Sequence, residues 1–368
     1  MHNKSIMRIV LILIIGLHGI IHLTGFLKAF AIYDFEEFTN NISKTSGILW
    51  LLSAIIFILA LIFYAAEINY WWLISLVAVT ISQILIIYFW KDAKFGTIAN
   101  IIILVVSFIG YQTWKFENRY KNDYSRGIDR TENIQKEILT EEDIRHLPAL
   151  VQEYIKYVGA VNKPKVLNVK VNFEAGMRSK TQDWFQLTAE QHNFFDTYER
   201  FFFLKAKVKG LPTNGYHIYK NGNSSMTIKL LSIIPVVHVS GREMYESETV
   251  TLLNDMCFLA PATLIDKRIK WEKINNSSVR AVFTNNETTV SAVLYFNDKG
   301  QLLNFESFDR YDVNVMKKYK FSTPLKNYQT INGYNLAGYG EAIWHYPEGE
   351  FVYGRYHLKN IRYNVPGN

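Results

Sequence analysis

The chain has 368 residues, 49% of them hydrophobic, with a single cysteine and a formal net charge of +7. One cysteine, Cys257, excludes an internal disulfide framework and any zinc site built from several thiolates. The positive balance suits an anionic membrane surface or nucleic acid. No nucleic-acid motif is present and several positive charges border apolar runs, so membrane lipid is the partner expected and nucleic acid is not.

Four apolar segments come first, over residues 7–30, 47–66, 71–90 and 95–114. Each is near the roughly 20 residues a helix needs to cross a bilayer. The first is too long for a cleavable signal peptide, and three more spans follow it. Trp71, Trp72, Trp90 and Trp114 stand at span ends, where interfacial aromatics collect. With the N-terminus inside, the inner side carries Lys4, Arg8, Lys115, Arg119, Lys121, Arg126 and Arg130, and the outer side Lys28, Lys44, Lys91 and Lys94. The excess favours the cytoplasm for both the N-terminus and the C-terminal domain.

Within the first span, "GLHGIIHLTGF" sets His18 and His22 one helical turn apart on one face. Intramembrane ionisable groups face a bundle interior or a wet cavity. Two histidines supply fewer ligands than the three or four of a closed metal site, and Gln83 and Asn100 are weak helpers. Hydrogen bonding between helices, or a polar pocket, is the expected role; a redox or transport module using the pair is the alternative. The turn "FWKDAKFG" reads as an interfacial loop with snorkelling lysines. A sharper reading is a headgroup or substrate gate formed by Asp92 and Lys94 with Ser82, Gln83 and Asn100.

Residues 115–139, "KFENRYKNDYSRGIDRTENIQKEIL", are highly charged and read as a juxtamembrane helix or linker that meets anionic headgroups. A second domain, 140–368, opens with a helix whose start is marked by Pro148 and whose stop is marked by Gly159. From residue 165 the hydrophobic period changes to two, and turn pairs such as Asn221-Gly222 and Asn332-Gly333 punctuate the runs. Roughly ten hairpin-linked strands are expected, interrupted by one helix over about 249–266. The fold class is therefore an N-terminal four-helix transmembrane bundle, residues 1–114, followed by an α+β domain. That domain is a large curved antiparallel sheet, half-barrel-like, covered by a few helices.

Several segments carry a resemblance: "LHGIIHLTGFLKAF", "SGILWLLSAIIFILA", "SQILIIYFWKDAKFGTIANIIIL", "GMRSKTQDWFQLTAEQ", "SMTIKLLSIIPVV", "LAPATLID" and "KWEKI". Together they resemble an uncharacterised bacterial family that pairs four spans with a β-rich domain. The β-rich part is distantly similar to half-barrels of the lipoprotein-carrier type. That resemblance implies a cavity for acyl chains, as fold-level analogy.

No nucleophile elbow, HExxH or phosphate loop appears, so no catalytic set, metal or cofactor is expected. Arg178, Arg242 and Arg310 lie near strand ends, where a guanidinium fork suits carboxylate or phosphate. They pair with Glu190, Glu243, Asp309 or Glu341, or they read the polar head of a ligand. Trp184, Trp271 and Trp344 would line the cleft or cap its core. The expected function is binding of a lipid-like or amphiphilic small molecule at the membrane; a scaffold for a protein partner is a further alternative.

Overall fold

A computed structural model describes residues 2–35 and 39–367, and the chain divides into two compact units, 1–117 and 118–368.

The first unit contains α1 (His2–Ala29), α2 (Lys44–Ala65), α3 (Trp71–Tyr88), the single turn α4 (Trp90–Ala93) and the first part of α5 (Gly96–Glu132). Four of these helices are long and apolar enough to cross a membrane. Ser43 starts α2 by accepting a hydrogen bond from the Ser46 amide. Small residues let α1 and α2 approach closely: a Cβ at Gly25 would run into the Trp50 ring. Leu11, Ile15, Phe57, Ala78, Val79 and Ile103 form the buried seam. Ile20, Ile21, Ile55, Ile62, Ile84 and Ile98 point outward, as side chains facing lipid tails would.

The second unit begins with residues 118–132 of α5, then α6 (Glu141–Ile144) and α7 (Ala149–Val158). A reciprocal capping box between Thr140 and Asp143 starts α6. Pro148 precedes α7, and Gly159 ends it at φ +74°, a left-handed turn that glycine adopts without strain. The first six strands follow: β1 (Asn168–Ser179), β2 (Gln182–Phe194), β3 (Glu199–Val208), β4 (Leu211–Lys220), β5 (Asn223–Leu230) and β6 (Ile234–Ser240). Helix α8 (Arg242–Phe258) and a short 3-10 turn (Pro261–Ile265) come next. The chain then forms β7 (Ile269–Lys273), β8 (Ser278–Asn285), β9 (Thr288–Phe296), β10 (Leu302–Ser307), β11 (Tyr311–Asp312) and β12 (Lys317–Lys318). The last three strands are β13 (Lys320–Ile331), β14 (Tyr334–Tyr346) and β15 (Gly349–Tyr363).

Thirteen strands join one antiparallel sheet in the order β6-β5-β4-β3-β2-β1-β15-β14-β13-β10-β9-β8-β7, while β11 and β12 pair separately. Helix α8 touches both β4–β6 and β9–β10. Laid flat, β5 and β9 would be roughly 40 Å apart, far wider than one helix. The sheet therefore curls around α8. Its inner face is filled by α7, α8 and the 3-10 turn, with Val151, Ile155, Leu252, Leu253, Met256, Val171, Ala281 and Phe305 all buried.

The outer face of β2–β4 is covered by α5. Tyr120, Tyr124, Gly127, Ile128 and Thr131 recur at helical spacing, so the charged run hides a packing stripe. Tyr120 stacks on Phe203, Tyr124 stacks on His192 at 4.0 Å, and Thr131 receives a hydrogen bond from Asn168. A Cβ at Gly127 would lie 2.5 Å from the Phe194 ring. Gly127→Val is expected to destabilise this unit by about 1–3 kcal/mol through overpacking. Hydrogen exchange would show it as faster exchange in β2 and β3, with α2 and α3 unchanged.

Candidate functional site

In the first unit, the polar spans converge on one network. His18 Nε2 lies 2.9 Å from Asn100 Oδ1, and His22 Nε2 lies 2.9 Å from Ser82 Oγ. His22 Nδ1 lies 2.8 Å from the His18 carbonyl, which only accepts, so Nδ1 carries the proton and Ser82 donates to Nε2. Asn100 Nδ2 donates to Ser82 Oγ and to Gln83 Oε1, and Gln83 donates to Thr97. Both His22 nitrogens and His18 Nε2 are thus engaged by protein partners, which is the geometry of interhelical hydrogen bonding. Asp92 stands apart from this network: it accepts from the Thr39 hydroxyl and from the Thr39 and Asn40 amides. Lys94 is exposed beside Phe95.

In the second unit, the inner face holds a buried ionic cluster that sequence reasoning did not single out. Arg200 on β3 donates to Asp255 (2.8 Å), Glu248 (2.9 Å) and Gln191 (3.1 Å). Asp255 also accepts from Gln191 and Asn193 of β2. Burial pushes both carboxyls upward; the Arg200 guanidinium, helped by His217, pulls Glu248 down to about 2, whereas Asp255 stays above its ordinary value. A signal for the pair was present, since Glu248 and Asp255 are seven residues apart and share one helical face.

Beside this cluster lies an aromatic group of Phe321, Trp344, Tyr346, Phe351 and Tyr353. Three cations rest on it. The Arg310 guanidinium is 4.1 Å above Phe321 and 5.6 Å from Trp344. Arg178 is 4.8 Å from Phe351 and 4.9 Å from Trp184. Lys180 is 3.5 Å from Tyr346 and pairs with Glu348. Arg178 and Arg310 are half-buried, and among the described residues neither makes a close ion pair with a carboxylate, although Arg310 lies in the field of Glu248. Arg178 spends only its Nε, on the Val352 carbonyl at 2.7 Å. Asp309, next to Arg310 in the chain, instead accepts from the Ser291 amide and hydroxyl.

The remaining candidates are dispersed. Glu341 accepts from Tyr339 and faces Arg355, which in turn stacks on Trp184. Glu190 is on the outer face, paired with Lys170 at 2.7 Å and 3.2 Å from the Tyr120 hydroxyl. It borders a shallow outer groove of about 280 Å³ with Asn172, Glu174, Thr188 and Lys359. Arg242 is exposed and Glu243 half-buried at the start of α8, while Trp271 packs against the main core from the edge strand β7. The sequence thus named two arginines and two tryptophans of one rim, but the rest of its list belongs to other places.

These features define a class: an α+β unit with a large antiparallel sheet and a cationic aromatic rim, in a chain with four candidate membrane spans. The chain belongs to a family of unknown function, DUF6544, which it matches over residues 137–356. Comparison with curated proteins gives no match. Among solved structures it is similar to a LolA superfamily protein from Nitrosomonas europaea, at 10% identity over 58% of this chain and 93% of that one, with a TM-score of 0.34.

Proposed function

We propose that the protein is a membrane-anchored binding protein for an amphiphile with an anionic head. The observation that carries this reading is the pair Arg178 and Arg310, half-buried over one aromatic cluster and without a close carboxylate ion pair among the described residues. Arginine offers a planar fork that matches carboxylate or phosphate, and its hydrophobic faces tolerate stacking. Phe321, Trp344, Phe351 and Tyr353 supply apolar surface for the adjoining chain. The buried Arg200 cluster is a different object: its charges are already paired, so it holds α8 on the sheet rather than recruiting a ligand. In this reading the sheet unit works at the cytoplasmic surface, following the excess of Lys and Arg.

The test is a titration of the full-length protein in detergent with an anionic single-chain lipid and with its zwitterionic counterpart. Each charge-assisted contact is worth about 1.5–3 kcal/mol. Arg178→Met and Arg310→Met are therefore each expected to weaken anionic-lipid binding roughly tenfold or more, with little effect on the zwitterionic lipid. Equal binding of both lipids by wild type and variants would contradict the proposal.

A further inference from the structure

We propose that the tips of the β3–β4 and β5–β6 hairpins form a docking surface for an anionic lipid bilayer, with their apolar side chains at headgroup depth. Four observations converge on it, none of which depends on the rim described above. From Phe201 to Ser240 the chain holds five lysines and no acidic residue. Lys205, Lys207, Lys209 and Lys229 lie toward the two tips. Three large apolar side chains at the same tips are exposed: Leu211 at 43%, Ile234 at 53% and Val236 at 55%.

The tips are contiguous, because the Leu231 amide donates to the Pro212 carbonyl and Thr213 pairs with Leu230. Leu231 and Ser232 both adopt positive φ, 53° and 57°, in a turn where Asn or Gly would cost less. An apolar residue is thus held at a tip against local preference. Finally, α5 gives a direction within this unit. Tyr120 sits at Phe203 and Tyr216, and Arg130 sits at Asp196 and Glu199, so segment 118–132 runs along the strands away from the tips.

A water-facing surface has no use for exposed Ile and Val at a tip flanked by lysines such as Lys207 and Lys209, but a bilayer interface has use for both. Apolar side chains partition among the acyl and headgroup boundary, and each lysine near an anionic leaflet adds about 1 kcal/mol. The rim bearing Arg178 lies on the same end of the strands, since β1 and β3 both run toward it. Docking would bring that end to the lipid surface.

The full-length protein, reconstituted in nanodiscs, tests this directly. Cys257 is buried, so single cysteines introduced at exposed sites can be labelled selectively. An environment-sensitive fluorophore is placed at Leu211→Cys, at Ile234→Cys and, as a control, at Lys299→Cys in the turn between β9 and β10. In nanodiscs with a quarter of phosphatidylglycerol, labels at 211 and 234 should be blue-shifted and quenched by lipid-borne quenchers, and the label at 299 should not. Lys207→Glu with Lys209→Glu, or pure phosphatidylcholine, should abolish the shift. Water-like emission at 211 and 234 in the anionic discs would overturn the proposal. So would the same shift in detergent without lipid, which would mean that protein rather than bilayer covers the tips. A shift unchanged by charge reversal would also overturn it.

Discussion

Arg200→Met is expected to be the most damaging single substitution in the sheet unit, costing about 3–5 kcal/mol. The guanidinium is almost wholly buried and is the shared partner of two buried carboxylates, Glu248 and Asp255. Methionine fills much of the volume but takes from both acids their shared cation, leaving Asp255 only its amide donors and Glu248 only His217 close by. Neutralising them should recover most of the loss, because apolar or neutral replacement of a whole buried ionic group is often nearly free. Arg200→Met with Glu248→Gln and Asp255→Asn is therefore expected to be more stable than Arg200→Met alone. Hydrogen exchange of β3 and α8 amides in the full-length protein reads this out. If Arg200→Met is no less protected than wild type, the cluster is not what fixes α8 to the sheet.

The second large effect is on acid stability and centres on His192. Its ring is buried between the Tyr124 ring and the outer face of the sheet, with the Tyr120 hydroxyl 2.7 Å from Nδ1. Burial, which outweighs the favourable field of Glu190, holds the imidazole down to about 3. In the unfolded chain it titrates near 6.5. Between these values the unfolded state binds a proton that the folded state refuses, so stability is full above about pH 6.5 and falls as the pH drops toward 3. At about 1.4 kcal/mol for each unit of separation, the loss approaches roughly 5 kcal/mol. His192→Phe keeps the ring contact and removes the titration. Its stability should vary less with pH from 6.5 to 4 than that of wild type, measured by denaturant unfolding at each pH. Parallel curves for the two proteins would show that His192 is not the group responsible.

Much of the architecture was legible because its physical signals are strong. A bilayer demands long apolar runs, and the four segments beginning near residues 7, 47, 71 and 95 supply them. The polar residues inside those runs, His18, His22, Ser82, Gln83 and Asn100, were also legible as one group, since each must find a partner in a medium that offers none. Strand number was less legible. Fifteen strands form among the described residues where roughly ten were expected. One cause is the β5–β6 turn, where Leu231 and Ser232 replace the usual Asn or Gly. The helix expected over 249–266 begins at Arg242 and breaks at Leu259 before the 3-10 turn. Its first two turns carry Arg242, Glu243, Glu246 and Glu248, which mask helical periodicity because Glu248 faces inward with a charged partner. The segment 115–139 concealed its packing stripe for a related reason: apart from Ile128, the contacting there is done by tyrosine, glycine and threonine and not by the aliphatic residues that periodicity detects.

The candidate site was legible only as chemistry. Arg178, Arg310, Trp184 and Trp344 stood out as arginines near strand ends and as tryptophans, yet nothing in their spacing shows that they share one rim. That requires the register that brings β13, β14 and β15 together: Phe321 opposite Trp344, and Trp344 opposite Phe351. Arg242 looked equivalent in the sequence but starts an exposed helix end.

The central claim, that the rim holds an amphiphile with an anionic head, is tested most directly by native mass spectrometry of the full-length protein released from mild detergent. Wild type is expected to retain an anionic lipid or fatty-acid-like molecule in stoichiometric amount, and Arg178→Met with Arg310→Met to lose it. Wild type emerging empty, or the double variant retaining the same molecule in the same amount, would contradict the assignment.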